Sequence, residues 1–234
     1  MARSFQTPLP DPVPGESPVN AVPPVIVALV LAIAVIEAAL SLGGQGLAGG
    51  AQGVGWRLSA IERFAVSPAV LDYALAGQGG LWTRFVTYAF IHGSVMHALF
   101  AGALLLALGK FVGEGMGQAR TLLVFFAATV LGAVGFALLI GDRQPLFGAY
   151  PGVYGLIGAF TYLLWLKIGT TGGNRLQAFR LIGVLLAIQL LFGALFGSNP
   201  QWVGDVAGFV AGGAVAVLVA PGGLAALRTR LRAR

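Results

Sequence analysis

Cysteine is absent from the 234 residues, which excludes disulfides, thiolate metal sites and thiol catalysis. Charge is scarce: Asp, Glu, Lys and Arg make up 9% of the chain, where a soluble domain carries about 25%. With 57% hydrophobic residues beside so few charges, the composition excludes a soluble globular domain and leaves a membrane protein. Histidine occurs only twice, at His92 and His97. Positions five apart differ by about 140° around a helix, so the pair lacks the i, i+4 geometry of a zinc helix and no metal is expected. No Gly-rich phosphate loop with a Lys precedes a helix, so no nucleotide or other cofactor is expected. The net charge of +6 forms no basic stripe interleaved with aromatics, and nucleic acid is not an expected partner.

What is present is a set of six apolar stretches: Val25–Leu42, Ser94–Val112, Arg120–Ile140, Gly152–Ile168, Phe179–Phe196 and Trp202–Val219. Each approaches the ~20 residues that span a bilayer as a helix. The expected fold is all-α, a polytopic bundle of six transmembrane helices over residues 25–220. Residues 1–24 carry seven prolines and read as an extended cytoplasmic tail. Residues 221–234 read as a basic cytoplasmic tail whose four arginines contact anionic lipid. Between the first two spans, Trp56–Val66 and Pro68–Leu75 are amphipathic. Trp56, Leu58, Ile61, Phe64, Ala65 and Leu71 are expected on lipid, with Arg57, Glu62, Arg63 and Asp72 in water, as in interfacial helices. Of the 14 Lys and Arg, only Arg57, Arg63, Arg84 and Arg143 fall on the side opposite the termini. That asymmetry predicts both termini in the cytoplasm, in a bacterial inner membrane.

Two acids fall inside spans. Glu37 lies in the middle of the first and Asp205 near the start of the sixth; each is costly in lipid unless paired or wet. Glu37 has no evident mate in the sequence and is a candidate contact to a partner subunit, or a protonated donor to a neighbouring backbone or side-chain group. Small residues recur at Gly148, Gly152 and Gly155 and, every fourth residue, at Gly204, Gly208 and Gly212. Such ladders let helix backbones approach closely.

Four segments carry more information. They are Trp82-Thr83-Arg84, the stretch from His92 through His97 to Ala101, the run Gly148-Ala149-Tyr150-Pro151-Gly152-Val153-Tyr154-Gly155, and Gly204-Asp205-Val206-Ala207-Gly208 with Gly212. In this order, with the last three on helices two, four and six, they resemble the rhomboid intramembrane serine proteases. The resemblance implies the six-helix fold and also a lost catalytic set. Tyr150 stands at the position of the family's nucleophilic Ser, Asp205 at its base His, Ala101 at an Asn donor of the oxyanion hole, and Pro151 at the Gly after the nucleophile. His97 matches the family's His in that hole. Acyl transfer needs an activated hydroxyl, a base within reach and fixed N–H donors; a phenol on a rigid arm and a carboxylate are poor substitutes. The expectation is therefore a vestigial site at Tyr150, Asp205, Ala101, His97, His92 and Pro151, and a chain that is not an enzyme. A Tyr150–Asp205 hydrogen bond is expected to lock helices four and six, with the phenol filling the old cavity. The expected role is to bind an integral membrane protein as accessory subunit or as assembly or chaperone factor of a larger complex, with lipids as further contacts. Leu185, Leu186, Leu190 and Phe192 of the fifth helix, with Glu37, are the expected contacts. Two alternatives stand beside it: a protease with a relocated nucleophile, Ser94 or Ser198, and an ion or solute transporter using Glu37 and Asp205.

Overall fold

The computed structural model describes residues 22–141, 144–196 and 199–220, apart from the side chains of Phe192 and Phe196. The expected tails before residue 22 and after 220, Arg143, Ser198 and the Phe192 contact lie outside the described residues. Six helices are long and apolar enough to cross a membrane. They are α1 (Pro24–Gly44), α4 (Val95–Met116), α5 (Gln118–Leu139), α6 (Tyr150–Thr170), α7 (Arg180–Phe196) and α8 (Trp202–Val219). Between α1 and α4 lie α2 (Trp56–Phe64) and α3 (Pro68–Leu75). The described residues are all-α, with one isolated bridge, so the chain is an integral multi-pass membrane protein.

Local sequence sets the helix ends. Prolines occupy the first turn of α1, α3 and α6, where a missing N–H costs nothing. Ser94 caps α4, its Oγ accepting from the His97 N–H at 3.2 Å. Gly117, at φ 85°, separates α4 from α5 with no other residue between them; that left-handed backbone favours glycine.

The first loop folds onto the bundle more deeply than amphipathicity suggests. Ala65 and Leu71, expected on lipid, are buried. Leu71 packs with Val66, Phe85, Tyr88, Phe136 and Leu146 in a second small core. Val66 and Leu146 exchange backbone hydrogen bonds of 3.0 and 2.7 Å, stapling this loop to the segment that leads into α6. Arg84 donates to the carbonyls of Glu62 and Ala65, and Tyr88 Oη donates to the Thr129 carbonyl at 2.8 Å. A buried backbone carbonyl needs such a donor.

At the centre stands α6, buried continuously from Pro151 to Ala159. Its contact with α8 is backbone on backbone. A Cβ on Gly212 would collide with the main chain of Gly155, and one on Gly208 with that of Pro151. The other glycines of the two ladders do different work. Gly152 packs on Phe125 and Thr129 of α5, and Gly204 faces Leu146. Gly148 precedes α6 at φ 99°, so it serves a turn rather than a helix interface.

Gly212→Val should therefore force α6 and α8 apart. Overpacking of this kind costs about 1–3 kcal/mol or more, read as a lowered Tm in detergent. Gly183→Ala on α7, where nothing among the described residues lies within 4 Å, should leave Tm nearly unchanged.

Candidate functional site

The starts of α4, α6 and α8 meet the last turns of α7 at one end of the bundle. There they enclose a cavity of about 920 Å³, lined by His97, Tyr150, Gln189, Asp205, Leu186, Leu190 and Trp202 among others. Three residues of the expected vestigial site, Tyr150, Asp205 and His97, face this space. Ala101 does not: it is fully buried in the main apolar core. Pro151 is buried against the Gly208 backbone.

Tyr150 and Asp205 share the cavity without the expected hydrogen bond. The Tyr150 ring instead stacks on His97, with centroids 5.0 Å apart and planes 16° from parallel. Asp205 accepts a hydrogen bond from Gln189 Nε2 at 3.2 Å. The first turn of α6 carries Tyr150 towards α4, whereas α8 presents Asp205 to α7. The phenol lines the cavity and does not fill it. Gln189 gave no signal in the sequence beyond being a polar residue inside an apolar span.

The two histidines also meet, with ring centroids 5.1 Å apart at 74°. Helical spacing sets them on different faces, but His92 lies in the non-helical stretch before Ser94, so the wheel does not govern it. Its Nε2 accepts the Ala149 N–H at 3.3 Å, which fixes the turn just before Tyr150. His97 Nδ1 accepts from the Gly93 N–H at 3.3 Å. A Cβ on Gly148 would strike the His97 ring at 2.9 Å, so the turn before α6 is moulded to that imidazole. Burial pushes the His92 pKa down to about 4, and the neighbouring His97 adds to this.

The mate of Glu37 is Arg57, which is neither a partner subunit nor, as expected of Arg57, solvent. Arg57 Nη2 and Nη1 reach the two carboxylate oxygens at 2.6 and 2.9 Å, and Ser41 Oγ donates at 2.9 Å. The same guanidinium donates to the His92 carbonyl at 2.6 Å. One charge pair thus binds α1, α2 and the non-helical segment that bears His92. The Trp56 ring seats α2 beside α1, filling the space where a side chain on Gly43 would stand. A partner 20 residues away across an irregular Gly-rich loop leaves no periodic trace in the sequence.

Residues 79–222, more than half of the chain, match the rhomboid domain family. The chain belongs to the rhomboid family. The match starts at residue 79, so α1, α2 and α3, which the sequence resemblance included, lie outside the matched stretch. The rhomboid protease GluP of Bacillus subtilis is 27% identical over 136 residues, 57% of this chain and 25% of its own length. The putative rhomboid protease YdcA of the same organism is 24% identical over 143 residues, 61% of this chain and 70% of its own. This rhomboid therefore spans a quarter of GluP. These findings correct the expectation that the chain is not an enzyme. Both relatives are named as proteases, and Tyr150, Asp205 and Ala101 at the family positions do not demonstrate lost activity. Among the described residues, Ser94 caps α4 and no serine hydroxyl is hydrogen-bonded to an imidazole.

Removing one member of a buried ion pair costs about 3 kcal/mol or more. Arg57→Ala and Glu37→Gln should each lower unfolding stability on that scale. The double variant should lose clearly less than the sum, a coupling of about 1–3 kcal/mol in a double-mutant cycle.

His92 supplies a pH test. It protonates near 6.5 when unfolded and near 4 when folded. Between those values the unfolded chain binds more protons, so stability drops as pH falls through this window. His92→Gln keeps an acceptor for the Ala149 N–H and should flatten the decline in Tm between about pH 6.5 and 4.

Proposed function

We propose that this rhomboid binds a transmembrane segment of another integral membrane protein in the cavity between α6, α7 and α8, as a subunit or assembly factor of a membrane complex. The cavity with its loosely held wall supports the reading best. In the fifth span, which contains α7, 12% of residues are buried, against 28 to 50% in the others. Leu186 and Leu190 line the space, and Leu190 is 73% exposed. Leu185 is not among the described cavity-lining residues and Glu37 is satisfied within the chain, so neither belongs to the proposed surface. With both termini in the cytoplasm, as the distribution of Lys and Arg favours, the cavity opens in the outer leaflet.

The names of the relatives favour a second reading, in which the bound segment is also cut. Hydrolysis here would use a nucleophile other than the family's Ser position, which is Tyr150. Ser94, three residues before His97, is the serine to examine first.

Photoreactive residues placed singly at Leu186, Leu190 and, as control, the exposed Leu123 of α5 test both readings in native membranes. The expected result is one membrane-protein adduct shared by positions 186 and 190 and absent at 123. Equal labelling at 123, or none at 186 and 190, would defeat the proposal. An adduct carrying a truncated partner, abolished by Ser94→Ala, would establish cleavage.

A further inference from the structure

The two intramembrane acids are treated differently by the fold. Glu37 receives both nitrogens of a guanidinium and a hydroxyl. Asp205 is 6% exposed and has one side-chain hydrogen bond among the described residues, from the neutral amide of Gln189. A carboxylate can accept about four hydrogen bonds, and one held at membrane depth demands a partner or water. Gln189 adds to the imbalance: its Oε1 is buried and, among the described residues, without a hydrogen-bond partner. Both residues line the cavity, and among the described residues no Lys or Arg lines it with them. Beside the Tyr150 hydroxyl and the His97 imidazole, the cavity thus offers a carboxyl group and an amide oxygen as acceptors, set among the apolar walls of Leu186, Leu190 and Val206.

We infer that the cavity selects a transmembrane segment bearing a basic residue, whose ammonium or guanidinium pairs with Asp205 and Gln189 Oε1. The inference rests on the segment-binding reading and names the chemistry of the partner. Depth follows from the helix. Asp205 is three residues past Trp202 on α8, so its Cα lies roughly 4.5 Å deeper along the axis. The basic residue therefore belongs within about the first turn of the partner span at the cavity end. There its aliphatic stem can lie along the leucines of α7 while its head reaches the carboxylate. Arg57 shows the same chemistry inside this chain: a cation from an adjacent element satisfying an acid in a span.

The test uses the full-length protein in phosphatidylcholine liposomes with fluorescent synthetic single-span peptides of Leu and Ala. The peptides differ only at the fourth position from the cavity-side end, which is Lys, Leu or Glu. The Lys peptide should bind about tenfold more tightly than the Leu peptide, the scale of one interhelical polar contact in a membrane. The Glu peptide should bind most weakly. Asp205→Asn should remove the preference for Lys over Leu. Gln189→Leu, which keeps the carboxyl group but removes the amide oxygen, should narrow the preference for Lys without abolishing it. Equal binding of Lys and Leu peptides by the unmodified protein overturns the inference while segment binding stands. Persistence of the preference in Asp205→Asn overturns it too. Failure of every peptide to bind overturns segment binding along with it.

Discussion

The site depends on the meeting of α6 and α8 with no side chain between them. Gly155 lies against Gly212, and Gly208 against Pro151, so tightly that an added Cβ would overlap backbone. In lipid there is no hydrophobic gain from bringing two helices together; contact area and packing must supply it. Backbone contact maximises both. It also fixes the relative height of the two helices, and so brings Tyr150 at the head of α6 and Asp205 near the head of α8 to one end of the bundle. The cavity exists because α7 does not close over them as tightly as α5 and α8 close on α6 lower down.

A second constraint comes from outside the matched region. The Glu37–Arg57 pair joins α1 to α2 and reaches the backbone of His92. His92 in turn holds the Ala149 N–H, one residue from Tyr150. The chain of contacts from the first span to the cavity therefore runs through charged and polar groups with directional geometry. A purely apolar loop contact would leave the orientation of the His92 stretch free. The direction of each hydrogen bond specifies it, in keeping with a site built from the ends of several helices.

The large features were readable in the residues. Hydropathy alone separates six spans because a bilayer imposes a length and an apolar content on each. The ordered motifs around His97, Tyr150 and Asp205 identify the family because they fall on the right helices. What escaped was the choice of side-chain partner. Glu37 finds Arg57 across a loop whose path no periodicity records. Tyr150 turns to His97 and Asp205 to Gln189 because helix rotation, not residue type, decides which groups face each other. The helical wheel separated His92 from His97 because it assumed helix where the chain is not helical. The lipid face of α3 was misread at Leu71 because an amphipathic helix on a bundle and one on a bilayer share the same pattern.

The identity of the residues at the family's catalytic positions says less about this site than its polarity does. If nothing entered the cavity, filling it with apolar side chains would cost no polar desolvation, and buried polar groups left half-satisfied in a membrane protein are costly. Yet Asp205, Gln189 and Tyr150 all face it, with an amide oxygen that has no partner among the described residues. The fold shows at Glu37 that it can neutralise an intramembrane acid completely with its own side chains. At Asp205 the complement is missing from the described chain, and the one wall that could admit it from the side, α7, belongs to the least buried of the six spans. An incomplete polar site behind a loosely packed wall is what the segment-binding proposal requires of a receptor for a polar residue in lipid.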